Sequence, residues 1–322
     1  MKYLHIVPGA DDVANGMARV ARLLANEQGD AEVVDLSAVS GQSLAVSEGS
    51  ESLAVSGQQL AVSGEEVWVH GMWLPKEWAI CLRVLRAGKR LVRMTHGSLS
   101  PVYLKQQSPI KKWLVGPIER WFLRKADRIV ATCEAEKRWI EAYLGKKCPE
   151  IVVEDIKRFF KLGVRSEELG VSGEREGDFN NKKLNVLYLG RRHPLKGVEF
   201  LETAVRQLQN STRSTRSTRL NIELRIVSNA KGEELEKVWE WCDVLVLPTL
   251  SENFGLVVAE ALERGKRVIT TDGAPVWESL VVSGDGCGIG VGYGGRLIYL
   301  KGYRDGSDEK RVELLKQAIS TL

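Results

Sequence analysis

The sequence has no apolar run near the roughly 18 residues that a membrane-spanning helix needs, and no charged-then-apolar leader precedes Met1-Lys2-Tyr3-Leu4. Neither a membrane span nor a secretory signal is expected. Cysteine is scarce: Cys81, Cys133, Cys148, Cys242 and Cys287 are an odd number, widely scattered, with no Cys-x-x-Cys pair. That excludes a disulfide scaffold and a zinc module and points to a reducing cytoplasm. Histidine is scarcer still, four residues with none near another along the chain, which argues against a histidine-built metal site. No Gly-x-Gly-x-x-Gly follows the first strand of either half, so a dehydrogenase reading fails as well.

What is present fits a globular protein of two domains: 322 residues, 43% hydrophobic and 27% charged. The net charge of +4 is unevenly spread. Between residues 72 and 147 there are 17 Lys/Arg against 6 Asp/Glu, a local balance of +11 that leaves about −7 for the remainder. Such a basic half suits a polyanionic partner (nucleic acid, an anionic membrane surface or a phosphorylated substrate) or is merely a solvated face.

Strands and helices alternate along most of the chain. In the first half, strands are expected at 2–7, 31–36, 66–71, 90–95 and 128–132, with helices at 13–26, 75–87, 109–125 and 134–144. In the second half, strands are expected at 184–189, 221–227, 243–247 and 267–270, with helices at 197–209, 233–241, 255–264, 275–281 and 307–322. This order argues for two parallel, doubly covered α/β units, and two such units usually face each other across a ligand-binding cleft. Two polar expansions interrupt it. Leu-Ala-Val-Ser recurs at 44, 53 and 60 within 37–66, read as a surface loop or a pair of extra edge strands; Ser-Thr-Arg recurs three times over 211–219, between a helix and a strand. Between 160 and 183 the composition shifts to Gly, Ser, Glu and Asn, which suits a linker.

The chemistry concentrates in the second half. Ser251-Glu252-Asn253-Phe254-Gly255-Leu256-Val257-Val258-Ala259-Glu260 follows an apolar strand and Pro248-Thr249. A helix starting near Phe254 keeps Glu252 in the loop and carries Glu260 about 9 Å along the axis, a span comparable to a small sugar plus a diphosphate. The amides of Phe254, Gly255 and Leu256 would point at an anion or hydroxyl, and Gly255 would allow close approach. Upstream, Tyr188-Leu189-Gly190-Arg191-Arg192-His193-Pro194-Leu195-Lys196-Gly197 puts two cations, Arg191 and Lys196, on one loop, where they can neutralise a diphosphate leaving group.

The first string resembles the Glu-x7-Glu motif of retaining glycosyltransferases with the GT-B fold, most closely family 4 with its lipopolysaccharide-core and mannosyl transferases. The second resembles that family's Gly-Arg–loop–Lys-Gly element, and Thr271-Asp272-Gly273-Ala274-Pro275 its Gly-rich turn. The resemblance implies an α/β GT-B fold of two Rossmann-like domains facing each other across a cleft. An acceptor-side domain would occupy 1–160, a linker 161–183, a nucleotide-sugar domain 184–306 and a terminal helix 307–322. It implies catalytic Arg191, Lys196, Glu252 and His96, the last beside the donor sugar in Thr95-His96-Gly97. Gly16, Gly190, Asn253, Phe254, Gly255, Leu256 and Glu260 would bind the donor. No metal and no cofactor beyond the nucleotide-diphosphate sugar are implied. The acceptor would be a glycan or lipid-linked, and the protein cytoplasmic.

Asn15-Gly16 stands where a Gly-Gly loop is usual. Two features depart from the family: Ile151-Val152-Val153-Glu154-Asp155-Ile156-Lys157-Arg158-Phe159-Phe160 lacks the usual Pro-Asn-Gly turn at the domain crossover, and the segment between Val227 and Trp241 is short. A sugar-nucleotide epimerase and a non-catalytic binding protein on the same fold remain the alternatives. Lys105, Lys111, Lys112, Trp113, Arg120, Trp121, Arg124 and Lys125 suit the face of a protein that lies on the inner surface of the membrane, with rings at headgroup depth and cations at anionic lipids; otherwise Trp113 and Trp121 are core residues of a sheet-packing helix. Nothing resembles a nucleic-acid reading module.

Overall fold

A computed structural model describes residues 2–12, 15–40, 53–55, 58–60, 65–162, 183–214, 221–282 and 288–322. The chain divides into two compact units, residues 1–159 and 160–322.

The first unit runs β1 (Tyr3–Val7), α1 (Gly16–Gln28), β2 (Ala31–Asp35), α2 (Leu36–Ser40), β3 (Leu53–Val55), β4 (Gln58–Leu60), β5 (Glu66–His70), α3 (Pro75–Arg86), β6 (Arg90–Met94), α4 (Pro101–Gln106), a π turn (Lys111–Val115), α5 (Gly116–Lys125), β7 (Arg128–Ala131), α6 (Glu134–Leu144) and β8 (Glu150–Val153). Six strands form a parallel sheet in the order β2-β1-β5-β6-β7-β8. Strand order reverses between β1 and β5, so the carboxyl ends of those two strands border the crevice where such sheets bind ligands. β5 is buried along its whole length, as expected of a strand covered on both faces.

The second unit runs β9 (Lys183–Leu189), α7 (Val198–Ser214), β10 (Asn221–Val227), α8 (Gly232–Trp241), β11 (Val244–Val246), α9 (Leu256–Glu263), β12 (Arg267–Thr271), a 3-10 helix (Pro275–Leu280), β13 (Val281–Val282), β14 (Ile289–Gly292), β15 (Leu297–Leu300) and α10 (Asp308–Ser320). Its sheet has the order β10-β9-β11-β12-β15-β14-β13, parallel through β15 and antiparallel beyond. Here the reversal lies between β9 and β11. α10 starts on Ser307, whose hydroxyl accepts from the Lys310 amide, and packs on α7 within the same unit.

Several expectations need correction. The helix expected over 109–125 is present, but it is wound as a π turn at Lys111–Val115, and a separate short helix, α4, precedes it. The first Ser-Thr-Arg copy extends α7 to Ser214 instead of leaving the helix, while 215–220 lie outside the described residues. In the Leu-Ala-Val-Ser region, 37–40 are helical, and β3 and β4 pair only with each other in a two-stranded sheet rather than adding edges to the main one. The expected helix at 13–26 opens at Gly16, with 13 and 14 outside the described residues. Most of the linker, 163–182, is outside them too. β8 and β13–β15 were not anticipated; Ile289-Gly290-Val291-Gly292 is too short and glycine-rich to read as a strand alone.

Candidate functional site

In the second unit the two motif loops meet at the β9/β11 switch point. β9 ends at Leu189, and the chain turns at Gly190, whose amide donates to the Val227 carbonyl at 2.9 Å. Buried Tyr188 sends its hydroxyl to the Arg191 carbonyl at 2.8 Å, which sets the path of the loop. His193 Nδ1 accepts from the Leu195 amide at 3.2 Å and caps the short 3-10 turn that carries Lys196. The Leu195 carbonyl in turn accepts from Thr249 Oγ1 at 3.0 Å and the Leu250 amide at 2.8 Å. Gly197 has φ 61°, and a Cβ there would lie 2.2 Å from the Pro248 carbonyl oxygen. Only glycine lets the Lys196 loop come this close to the segment leading into Glu252.

These contacts bring Lys196 Nζ to 2.5 Å from Glu252 Oε2, with the side chains 23% and 22% exposed. Glu252 is fixed by its backbone, its amide donating to the Gly273 carbonyl at 2.8 Å, which brings in the Thr271–Ala274 turn. Glu252 Oε1 accepts from the Asn253 amide at 3.2 Å. Gly255 is left-handed at φ 68°, and α9 starts at Leu256 without a side-chain cap. Its first amides therefore keep the donor capacity that a helix start offers to anions.

The expected residues are not all equivalent. The ring of Phe254 is buried, 5.7 Å from Phe160 and 5.2 Å from Trp277, and its carbonyl accepts from Trp277 Nε1 at 2.6 Å. Glu260 lies half-buried about one turn into α9. Arg191 is exposed, whereas its neighbour Arg192 is engaged by Glu202 at 2.5 Å.

In the first unit, Gly16 is the first residue of α1 rather than part of an open loop. Asn15 caps the helix, its Oδ1 accepting from the Met17 amide at 3.0 Å and its Nδ2 donating to the Pro8 carbonyl at 2.6 Å. His96 follows β6 in the left-handed conformation, φ 49°, and is 8% exposed. Buried Glu136, at the start of α6, clamps its flanks. Glu136 Oε1 accepts from Thr95 Oγ1 at 2.6 Å and the Gly97 amide at 2.5 Å; Oε2 accepts from the Thr132 amide and hydroxyl, both at 2.7 Å.

Histidines far apart in sequence meet here. His5 Nδ1 lies 2.9 Å from His70 Nε2, His70 Nδ1 lies 2.8 Å from His96 Nε2, and His5 Nε2 lies 2.8 Å from Gln28 Oε1. Burial lowers the pKa of His5 to about 4 and of His96 to about 3; His70 falls well below its usual value through burial, then through the neighbouring imidazoles and Arg93. All three are neutral near pH 7. A neutral imidazole has one donor and one acceptor, and Gln28 Oε1 only accepts. His5 therefore donates through Nε2, His70 donates through Nε2 to His5, and His96 donates through Nε2 to His70. The array makes His96 Nδ1 an acceptor. His5, His70, Gln28 and Glu136 were missed from the sequence, and the only local signal was His70-Gly71 closing a strand. Among the described residues no group of three or more His, Cys, Asp or Glu is placed to hold a metal ion, and the four described cysteines are free.

Two family matches overlap these regions, the first taking in His70 and His96 and the second Glu252 and Glu260. Residues 67–153 match the glycosyl transferase 4-like domain, and residues 211–292 match glycosyl transferases group 1. No curated protein matches the sequence significantly. Among solved structures the chain is similar to Anabaena HepE in complex with UDP and glucose, at 16% identity and TM-score 0.57, over 99% of this chain and 90% of that one. It is also similar to sucrose-phosphate synthase from Thermosynechococcus elongatus, at 13% identity and TM-score 0.58, with the same coverage. A third likeness is to the E. coli trehalose-6-phosphate structure bound with UDP-2-fluoro glucose, at 10% identity and TM-score 0.57, over 99% and 91%.

These findings define the class: the chain has the GT-B fold, α/β with two parallel-dominated sheets, as expected. More particularly, it carries glycosyltransferase-type domains in both halves.

Proposed function

We propose that this protein is a metal-independent retaining glycosyltransferase of the family 4 type. It moves a sugar from a nucleotide-diphosphate sugar to a glycan or lipid-linked acceptor in cell-envelope polysaccharide or lipopolysaccharide synthesis. The observation that carries the reading is the Lys196–Glu252 pair beside the uncapped start of α9, at the switch point of the second sheet. The UDP, UDP-glucose and UDP-2-fluoro glucose complexes of similar structures support a nucleotide-sugar donor.

An ammonium has three N–H donors, so its bond to Glu252 leaves Lys196 two for phosphate oxygens. Lys196 and Arg191 would stabilise the charge that develops on the leaving diphosphate, an interaction stronger in the transition state than in the ground state. The α9 amides would hold phosphate or sugar oxygens, Glu252 would accept from a hydroxyl of the transferred sugar, and Glu260 from the ribose. His96 would offer Nδ1 to a donor-sugar hydroxyl. Attack would come on the face that the diphosphate leaves. The test is product analysis: incubation with UDP-, GDP- and ADP-sugars, with and without acceptor and with EDTA, and NMR assignment of the anomer. Retention without added metal is the expected result. An inverted product, EDTA-sensitive turnover, or acceptor-independent isomerisation of the donor refutes the reading.

The proposed site of action is the cytoplasmic face of the membrane. Trp113 is 78% exposed, and Leu114, Ile118 and Trp121 are exposed around it, which removes the alternative that the two tryptophans are core. Lys105, Lys112 and Lys125 belong to the same segment. No described helix is long and apolar enough to cross a membrane. Sedimentation with anionic vesicles at low salt tests this; no binding refutes it.

A further inference from the structure

The same segment lines part of a cavity of about 260 Å³ that the transfer chemistry does not use. Its walls include Trp73, Leu104, Gln107, Lys112, Arg120 and Tyr143. Three features set it apart from a packing defect. Gln107 is only 9% exposed, yet neither its amide oxygen nor its amide nitrogen has a hydrogen-bond partner among the described residues. Trp73 Nε1 and Arg120 Nε are buried and unpartnered in the same way. Buried polar groups are nearly always satisfied, so four such atoms around one cavity point to a ligand that supplies the partners.

The backbone around the cavity is also unusual. Trp73 has φ 81°, a conformation seldom adopted by a bulky residue. It is held there by its amide donating to Glu119 Oε2 at 3.0 Å, and Glu119 is anchored by the fully buried Arg93 at 2.8 Å. The wall carrying Lys112 is the π turn, closed by the Gly116 amide donating to the Lys111 carbonyl; such turns are rare and recur at functional sites.

The chemistry of the lining selects the ligand. Three donors (Trp73 Nε1, Gln107 Nε2, Arg120 Nε) and one acceptor (Gln107 Oε1) suit carbonyl and hydroxyl oxygens. Leu104 and the rings of Trp73 and Tyr143 suit methylenes. Lys112 and the Arg120 guanidinium, 4.6 Å from the Tyr143 ring centre, suit a phosphate. In the segment 101–125 the one acidic residue is Glu119, already paired with Arg93, so the outward charge is cationic throughout.

We propose that this cavity binds the junction of an anionic amphiphile: phosphate at Lys112 and Arg120, ester or amide oxygens on Trp73 and Gln107, and the first methylenes of an apolar chain inside. The site deepens the membrane-facing part of the proposed function and requires no transfer activity. The ligand comes either from the bilayer or as a lipid-linked molecule taken up singly.

The experiment is titration calorimetry of the full chain with dihexanoyl-phosphatidylglycerol below its micelle concentration. Inorganic phosphate and dihexanoyl-phosphatidylcholine are the controls. Binding of the anionic lipid is expected, at least about tenfold tighter than either control, and weakened about tenfold by Gln107→Leu and by Arg120→Gln. Circular dichroism and melting confirm folding, and the partly exposed Arg120 supplies a usable variant if Gln107→Leu does not fold. No lipid binding, equal binding of inorganic phosphate, or undiminished binding by the folded variants overturns the site. A second arm uses phosphatidylglycerol vesicles. Gln107→Leu weakening both vesicle and monomer binding supports a bilayer source; weakening monomer binding alone supports a singly bound lipid. Failure of transferase assays with the site intact refutes the proposed function and leaves this inference standing.

Discussion

The two switch points are built in opposite ways. In the second unit the candidate site is made of partly exposed charges on two loops, each a contiguous run of sequence: Lys196 on one, Glu252 on the other, joined at 2.5 Å. In the first unit it is made of buried neutral imidazoles from β1, β5 and the turn after β6, 65 and 26 residues apart in the chain. A partly exposed ion pair adds little to stability, so removing it should disturb the fold little. A buried hydrogen-bonded array is stabilising only while every member is satisfied, so it is rigid.

The sharpest way to break this contrast is Lys196→Ala. Donor-saturation kinetics should show kcat lowered roughly 10²–10³-fold, the scale of one lost charge-stabilising donor. The melting temperature should move little, because a partly exposed pair contributes about 1 kcal/mol or less. A change in KM alone, or a large loss of stability, would mean that the pair is structural.

Glu136→Ala should do the reverse. It strips partners from Thr95, Gly97 and Thr132 at a buried site, and about 3 kcal/mol of stability should be lost in urea unfolding. An unchanged midpoint would show that the clamp around His96 is dispensable.

Titration sharpens the comparison further. His5 and His96 are held at about 4 and about 3 against 6.5 in the unfolded chain, so the unfolded state binds more protons below pH 6.5. Their contribution is present above pH 6.5 and is lost as pH falls toward 3. Glu77 has the opposite sign: burial, only partly offset by Arg93, raises it from 4.5 to about 7. Stability is therefore lost as pH rises from 4.5 to 7. Glu77→Gln should stabilise the protein by about 2 kcal/mol above pH 7 and leave it unchanged below pH 4.5. Urea midpoints for both chains across pH 4–8 measure this, and parallel curves would contradict it.

The smallest effect belongs to Glu260→Gln. A group that grips donor hydroxyls equally before and during transfer should raise donor KM about tenfold and spare kcat. A fall in kcat would instead place Glu260 at the reacting centre.

The legibility of these regions follows from the same contrast. The Glu252–Glu260 string and the Arg191–Lys196 loop stood out because each is a contiguous run with glycine, cations or carboxylates at short, fixed spacings. Phe254 entered the reading through its amide, and nothing in the string records that its ring packs on Trp277 and Phe160. His5, His70 and His96 lie far apart along the chain, and the sequence alone does not join them. Parallel strand pairing sets His5 beside Trp68 on β5 and carries His70 to the same end of the sheet; no local pattern records that register.

By itself the sequence determined the alternation of strands and helices, the two-unit organisation and the contiguous second-unit motifs, because apolar periodicity and loop chemistry act over a few residues. Tertiary structure alone decided the tautomers of the histidine array, the π turn with the strained Trp73 above its cavity, and the antiparallel end of the second sheet. Each depends on hydrogen bonds and close packing between distant segments, whose partners are chosen only when the chain folds.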